Sequence, residues 1–258
     1  MTELSGESVA EETAADAPVR FRPTGRDWVS LPIFRGIDEH FARALLDASS
    51  VRQYRAGSII VHQGDRVEGL FIVRSGLVDL TRIDGQHECG VLLLSARDLL
   101  LPAASLFDER SLVTARALTT SRMMVIDNKT AAAALAQSPA FAANLMKAMS
   151  GQWRMAVRTI LDLNCRTAGQ RLGAFLLRLV DLQSDSPSAV LPIAKRHLAS
   201  RLGMSAETLS RMLQVVADHG LHLRGRTIIV RDREQIEIFC GPDPYPERDE
   251  RDLDVFAL

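Results

Sequence analysis

Short apolar runs separated by turn signals fill the chain from residue 51 to residue 127. In order, the runs read SIIVHQ, LFIV, LVDLTRI, CGVLLL, LVTARAL and RMMVID, with turn pairs such as Gly64-Asp65, Ser75-Gly76 and Asp84-Gly85 between them. Short runs rich in leucine and β-branched residues are typical of antiparallel strands joined by tight turns. The pattern therefore predicts an antiparallel β-roll or barrel rather than a parallel α/β sheet.

After residue 127 the apolar positions take helical spacing. An alanine-rich helix is predicted over 130–137, and Pro139 begins a long helix that extends to about Cys165. A helix of about 25 residues spans nearly 40 Å and has room for two apolar stripes. One stripe can cover the roll and the other can pair with the same helix of a second subunit, or both can pack within one chain. The candidates for the dimer helix recur mainly every three or four residues and are Leu145, Met149, Ala156, Ile160 and Leu163.

The segment KRHLASRLGMSAETLSRML, residues 195–213, predicts a helix-turn-helix. Ala199 lies four residues before Gly203, which suits a close helix crossing followed by a turn glycine with positive φ. The apolar side chains that can pack the two helices together are Leu198, Leu202, Leu209, Met212 and Leu213. The polar side of the second helix carries Glu207, Thr208, Ser210 and Arg211. The alternative is a buried helix pair of an enzyme.

The residues around this segment predict a winged helix. A helix over 168–182 and a loop over 184–188 precede it. His219-Gly220 ends the second helix, and LHLRGRTIIVRD forms a hairpin around Arg224-Gly225. The proline-rich, charged tail over 241–258 is predicted to be irregular.

Charge is unevenly distributed along the 258 residues, although the net charge is only −1. Residues 192–233 carry eight lysines and arginines against three acids, an excess of five positive charges that suits a phosphate-facing module. The eight are Lys195, Arg196, Arg201, Arg211, Arg224, Arg226, Arg231 and Arg233. The first 19 residues carry five acids and no lysine or arginine, so residues 1–27 are predicted to form a disordered acidic tail.

Composition narrows the class of protein further. Hydrophobic content of 47% and charged content of 24% are globular values. The three cysteines are too few and too scattered for a disulfide framework or a zinc knuckle. No apolar run reaches the roughly 18 residues of a membrane span, so we expect a cytoplasmic protein without a membrane partner. No nucleophile–base pairing, P-loop or dinucleotide-binding glycine motif predicts an enzyme.

The order of roll, long helix and winged helix resembles the bacterial cyclic-AMP receptor and fumarate–nitrate regulator (Crp/Fnr) family over about residues 28–240. The most specific motifs are G-x(5)-Q-G-D at 57–65, L-F-I-V-x-x-G-x-V at 70–78 and E-x-x-S-R at 207–211. The resemblance implies an α+β fold with a cyclic-nucleotide-binding-type β-roll over 28–138, a central dimerisation helix over 139–165 and a winged helix-turn-helix DNA-binding domain over 166–240. It also implies a homodimeric transcription regulator that binds double-stranded DNA.

The recognition helix offers three candidate base-reading side chains at i, i+3 and i+4. The Glu207 carboxylate can accept from the cytosine amino group, Arg211 can donate to guanine O6 and N7, and Ser210 can donate or accept. Alternatively, Glu207 and Arg211 form only a surface ion pair. The resemblance implies a TTGAT-N4-ATCAA half-site pair for E-x-x-S-R. The candidate phosphate contacts are Lys195, Arg196, Ser205 and Thr208.

The roll lacks the residues with which relatives in the family bind known effectors. Nucleotide-binding members hold the ribose with a glycine–glutamate pair, where this chain has Pro102-Ala103-Ala104. Arg110-Ser111 only superficially matches the pair that holds the cyclic phosphate, so the sequence argues against cyclic AMP. An iron–sulfur cluster needs N-terminal cysteines, and the first cysteine is Cys89.

His87 and Cys89 share one strand face at i, i+2 and could ligate haem or a metal, or form a redox-sensitive thiol site. A turn histidine followed by a half-buried cysteine explains the same residues. The effector therefore stays unidentified, with haem an open option. RNA polymerase is a possible partner, but the sequence does not distinguish activation from repression. The alternative function is a ligand-sensing module whose winged helix contacts protein rather than DNA.

Overall fold

The computed structural model describes residues 19–21, 31–84, 87–183 and 188–241. In that part of the chain the strands are β1 (Val19–Phe21), β2 (Ser50–Tyr54), β3 (Ile59–Val61), β4 (Gly69–Ser75), β5 (Val78–Asp84), β6 (His87–Leu94), β7 (Leu99–Leu100), β8 (Thr114–Ala117), β9 (Ser121–Asp127), β10 (Ser188–Val190), β11 (Leu221–Arg224) and β12 (Thr227–Val230). The helices are α1 (Glu39–Asp47), α2 (Pro102–Leu106), α3 (Asn128–Gln137), α4 (Pro139–Cys165), α5 (Ala168–Gln183), α6 (Lys195–Arg201), α7 (Ala206–Asp218) and α8 (Arg233–Cys240). The predicted α+β class is confirmed.

The first nine strands form two antiparallel sheets that face each other across an apolar interior. One sheet has the order β1-β2-β9-β4-β7 and the other the order β3-β8-β5-β6. Phe71 and Val73 of β4 belong to the same buried cluster as Val78 and Leu80 of β5. We call this cluster the roll interior. The antiparallel roll predicted from the spacing of apolar runs is confirmed.

The five-stranded sheet is buried on its second face as well. Leu70 and Ile72 alternate with the inward residues of β4 and pack in a second cluster with Phe141 and Leu145 of α4. Strands covered on both faces read as continuous apolar runs rather than as alternating ones. This double burial explains why LFIV contains no polar residue.

Gly76 makes the turn between β4 and β5. Its φ is +97°, a conformation that side chains rarely adopt, and a Cβ at this position would lie 2.3 Å from the Ser121 hydroxyl oxygen and 2.7 Å from Ser121 Cα. The turn predicted from Ser75-Gly76 therefore depends on glycine for both backbone conformation and space.

The long predicted helix is α4, and its 27 residues span about 40 Å. The Ser138 hydroxyl caps it by accepting from the backbone N–H of Phe141. Amides on α4 then fix the helix to the roll: Asn144 donates to the carbonyl of Ile33 at 3.1 Å and Gln152 donates to that of Leu99 at 2.6 Å.

Leu145 does not belong to a subunit-pairing stripe. It is only 4% exposed because it packs in the core of its own chain with Ile33 and Phe34. The prediction that Leu145 is a subunit-pairing residue of the dimer helix was therefore wrong. An apolar residue three or four positions from other apolar residues can belong to the stripe that covers the roll or to the stripe that pairs subunits. Spacing alone did not distinguish the two stripes.

The C-terminal domain is a winged helix. Its sheet has the order β10-β12-β11, and the β11–β12 hairpin turns at Gly225, where φ is +61°, as predicted. The domain continues into α8, which the apolar pattern had not indicated. Asp232 caps α8 by accepting from the Gln235 N–H, and the helix buries Ile236 and Cys240.

Part of the N-terminal tail forms a strand, contrary to the prediction of disorder. Within the segment 1–27 that was predicted to be disordered, Val19–Phe21 forms β1, which pairs with Val51, Arg52 and Gln53 of β2. The acids lie before this strand, so the charge pattern does not extend to it. The rest of that tail and the C-terminal tail over 242–258 lie outside the described residues.

Asp98 is a buried carboxyl in the turn between β6 and β7. Its oxygen accepts from the Ser95 N–H at 2.8 Å, yet burial outweighs this bond and raises the Asp98 pKa from 3.8 to about 7. The folded state therefore holds a proton that the unfolded chain releases between these two pH values. Stability falls as pH rises through that window and levels off above pH 7.

We expect Asp98→Asn to remove this pH dependence, because the amide stays neutral and keeps a carbonyl acceptor for Ser95. Relative to the native chain, the variant should gain unfolding free energy as pH rises from about 4 to about 7 and gain no more beyond it. Urea unfolding at pH 4, 5.5, 7 and 8 measures the difference. The control, Asp47→Asn, removes an exposed carboxyl on α1. Parallel stability curves for native and Asp98→Asn protein would contradict the assignment.

Candidate nucleic-acid interface

The helix-turn-helix is formed by α6 and α7. Ala199 is buried where the helices cross, and its carbonyl accepts from the Met204 N–H at 3.0 Å. Gly203 has φ +62° in the turn, as predicted. A Cβ at Gly203 would lie 3.0 Å from Leu163 Cδ2, so the end of α4 contacts this turn.

The recognition helix α7 is fixed by its cap and by its apolar face. The Ser205 hydroxyl accepts from the Thr208 N–H at 3.1 Å. Leu209 and Val216 are buried in the domain core, and Met212 packs against them. Ser205 therefore has a structural role, in addition to any contact with phosphate.

The three candidate base-reading side chains are exposed on the side of α7 that faces away from the core. They are Glu207, Ser210 and Arg211. Arg211 donates to the Thr208 hydroxyl at 3.4 Å, and the described residues include no ion pair between Arg211 and Glu207. Their charged groups are thus available to a ligand in the groove. The surface pair that was the alternative interpretation is not formed here.

The candidate phosphate contacts lie at the two helix beginnings. Lys195 and Arg196 are exposed in the first turn of α6, and Arg196 Nε lies 3.2 Å from the ring nitrogen of His197. Ser205 is exposed and Thr208 is half-buried at the start of α7.

Two of the eight cations expected to face phosphate are neutralised by other parts of the chain. Arg201 is buried against Asp79 of β5, at 3.2 Å. Arg233 pairs with Asp181 at 2.8 Å and with Glu237 at 2.6 Å. The remaining six cations are exposed: Lys195, Arg196, Arg211, Arg224, Arg226 and Arg231. The basic surface is smaller than the sequence indicated, and its cations lie at the start of α6, on α7 and on the wing.

The residues that stand where the resemblance places nucleotide contacts are alanines or side chains that hydrogen-bond within the roll. Ala103 and Ala104 of α2 offer no carboxylate for a ribose, and Ala104 packs against the apolar roll interior. Arg110 is exposed and donates to the Gly64 carbonyl at 2.8 Å. Ser111 is buried and donates to the Val113 carbonyl at 2.6 Å. The two side chains therefore do not converge on a shared anion site.

Cys89 is exposed on β6. The His87 side chain lies outside the described residues. In the described part of the chain, no three histidine, cysteine or acidic side chains form a group that could hold a metal ion. The interpretation of Cys89 as a half-buried cysteine is therefore wrong, and its roles as a ligand or as a redox-sensitive thiol stay predictions.

An apolar stripe remains exposed along α4. Met146 and Trp153 are each 69% exposed and Ile160 is 53% exposed, and the three are seven residues apart. Leu163 is also exposed, while Met149 and Ala156 are half-buried beside them. We call these six residues the α4 stripe. The candidates from the sequence did not include Met146 or Trp153, although a seven-residue spacing of large apolar side chains was the available signal.

Together these features define a sensor-type roll joined to a DNA-binding winged helix-turn-helix. Residues 51–138 match the family model for the cyclic nucleotide-binding domain, and residues 170–238 match that for the Crp-like helix-turn-helix domain. The protein belongs to the Crp/Fnr family of DNA-binding transcription regulators, which is a family of regulators and not of enzymes.

Relatives and solved structures agree with this assignment. The chain is 28% identical to the cyclic AMP receptor protein of Thermus thermophilus over 80% of this chain and 95% of that protein. It is 25% identical to the transcriptional activator protein anr of Pseudomonas aeruginosa over 74% of this chain and 80% of that protein. FixK2 from Bradyrhizobium japonicum shares the fold with a TM-score of 0.67 and 21% identity, over 76% of this chain and 98% of that one. No helix in the described part of the chain is long and apolar enough to cross a membrane.

We expect Ser205→Ala to lower the unfolding free energy by about 0.5–2 kcal/mol, because the Thr208 N–H loses its capping acceptor. Urea unfolding of the two proteins measures the loss. Ser205→Asn is the matched control, since asparagine caps as well as serine. Equal stability of the alanine variant and the native protein would show that the cap contributes nothing.

Proposed function

We propose that the protein is a homodimer that reads a TTGAT-N4-ATCAA-like twofold site. The observation that carries this proposal is the exposure of Glu207, Ser210 and Arg211 on one side of a capped recognition helix. In each half-site Arg211 donates to guanine, Glu207 accepts from cytosine and Ser210 contacts a neighbouring base. Lys195, Arg196, Ser205 and Thr208 hold the backbone on either side.

The proposed division of labour follows the chain. Residues 28–138 sense an unidentified effector, residues 139–165 pair the subunits and residues 166–240 bind DNA. Effector binding shifts the population of two arrangements of the paired α4 helices. In the active arrangement both α7 helices reach successive major grooves about 34 Å apart.

Fluorescence anisotropy tests the proposal directly. Purified protein is titrated onto the palindrome and onto a scrambled duplex at ~0.15 M salt, near physiological ionic strength. A preference of roughly a thousandfold supports a specific regulator. Absence of binding to either duplex, even at low salt, supports a winged helix that contacts protein.

Arg211→Ala should weaken binding to the palindrome by about 1–3 kcal/mol and relax discrimination at its guanine. Lys195→Ala should instead weaken binding to all duplexes alike and reduce the salt slope by about one. Anisotropy titrations against single-base variants of the site at several salt concentrations separate the two patterns. If Arg211→Ala loses as much affinity for the scrambled duplex as for the palindrome, Arg211 does not read a base.

The α4 stripe should pair with its symmetry mate, because it leaves large apolar side chains exposed at heptad spacing. We expect Trp153→Asp to place a charge in that pairing and to shift the protein from dimer to monomer. Sedimentation velocity over a concentration series measures the change. Lys147→Asp, which adds an acid to an exposed position of the same helix outside the stripe, is the control. A dimer that persists in Trp153→Asp would place the subunit contact elsewhere.

A further inference from the structure

The winged helix is docked on the outer face of the four-stranded sheet. Helix α6 contacts β6, and Asp79 of β5 is buried between two side chains of α6. Arg201 Nη2 lies 3.2 Å from one Asp79 oxygen, and His197 Nδ1 lies 3.4 Å from the other. We call these three side chains the interdomain latch.

Alternation along β5 creates this contact. Val78 and Leu80 point into the roll interior, so Asp79 and Thr81 point to the opposite face. All four are at most 5% exposed. A buried carboxylate requires charged or hydrogen-bonding partners, and α6 supplies them. Burial lowers the pKa of Arg201, an effect that the Asp79 carboxylate opposes.

Close backbone packing and apolar contacts extend the docking surface around the latch. A Cβ at Gly90 of β6 would lie 2.9 Å from Arg201 Cα and 3.0 Å from its nitrogen, so α6 crosses β6 where no side chain intervenes. Leu77 and Leu93 of the roll belong to the same buried cluster as Leu198 and Leu202 of the winged helix. The two domains therefore share one continuous core.

The latch and the DNA-reading residues lie on different sides of the helix-turn-helix. Glu207, Ser210 and Arg211 are exposed while Arg201 is buried, and Lys195 and Arg196 at the start of α6 also remain exposed. Docking thus leaves the DNA contacts accessible. It also removes rotational freedom that a mobile domain would lose on binding, which favours association.

We propose that Asp79, His197 and Arg201 are positioning residues that hold the winged helix on the sensor sheet in the orientation required for DNA binding. This inference rests on the proposed function. It provides a direct route from the roll to the DNA-reading helix, in addition to the route through α4.

Three variants disturb the docking contact: two remove a side chain of the latch and one acts on the backbone packing beside it. Asp79→Asn removes the carboxylate charge, Arg201→Met keeps length but removes the guanidinium, and Gly90→Ala forces β6 and α6 apart. Val91→Ala, an exposed neighbour on β6, is the control. Hydrogen–deuterium exchange of peptides covering 89–94 and 195–202 reports docking without DNA, and anisotropy on the palindrome reports affinity.

We expect faster exchange in both peptides and about tenfold weaker binding for each variant, with native base preference and an unchanged control. Asp79→Asn and Arg201→Met together should cost little more than either alone, because both remove the same pair. Thermal unfolding tests whether each variant is folded at the assay temperature. The same change in exchange and in DNA affinity in any two folded variants decides whether the latch has the positioning role.

Unchanged exchange would show that the latch does not hold the domains together. Faster exchange with unchanged affinity, or with tighter binding, would overturn the positioning role. If the native protein does not prefer the palindrome, the proposed function fails, while the exchange measurement still reports whether the docking contact exists.

Discussion

Double burial of the roll sheets is the constraint on which the rest of the structure depends. Helix α4 covers the five-stranded sheet through Phe141 and Leu145, and the winged helix covers the four-stranded sheet through α6. When both faces of a sheet are buried, each polar side chain on it needs a hydrogen-bonding or charged partner. Asp79 meets this requirement with Arg201 and His197, which approach from another domain. Sensor and DNA reader are therefore parts of one packed body in this arrangement.

This packing also determines which surface is left for DNA. On the side of α6 that faces the sheet, Arg201 forms an ion pair with Asp79 and is not available to DNA. Arg233 likewise forms ion pairs with Asp181 and Glu237. The exposed cations are left at the start of α6, on α7 and on the wing. Protein cations that neutralise DNA phosphates release the counterions bound to the DNA, and this release favours binding. The exposed cations, rather than the total charge of the domain, therefore define its electrostatic footprint.

The sequence predicted the features that depend on local pattern. The bounds of α4, the turn at Gly203 and the hairpin at Gly225 follow from helix periodicity, a proline start and glycine turns. Features created by distant contacts were not predictable in this way. Asp79 in LVDLTRI has the position of a solvent-facing residue in an alternating strand, but it is buried in the structure, where His197 and Arg201 of α6 contact it. Helix α8 and strand β1 are short, and each packs against a segment distant in sequence. A Cβ at Gly173 of α5 would lie 2.5 Å from Cys240 Sγ of α8, and β1 pairs with the edge of β2.

The alternation on β5 also limits how an effector could act. Val78 and Leu80 line an interior formed by apolar side chains, which Met155 of α4 joins. A ligand that displaces these side chains contacts β5 and α4 together, and it favours an apolar group over a charged one. Asp79 lies between Val78 and Leu80 on the same strand, so a shift of β5 changes the distance between Asp79 and Arg201 directly. Such a ligand alters DNA affinity only if it binds the docked and undocked arrangements with different affinity. Strand β5, with the roll interior on one face and α6 on the other, therefore links the two domains without any intervening element.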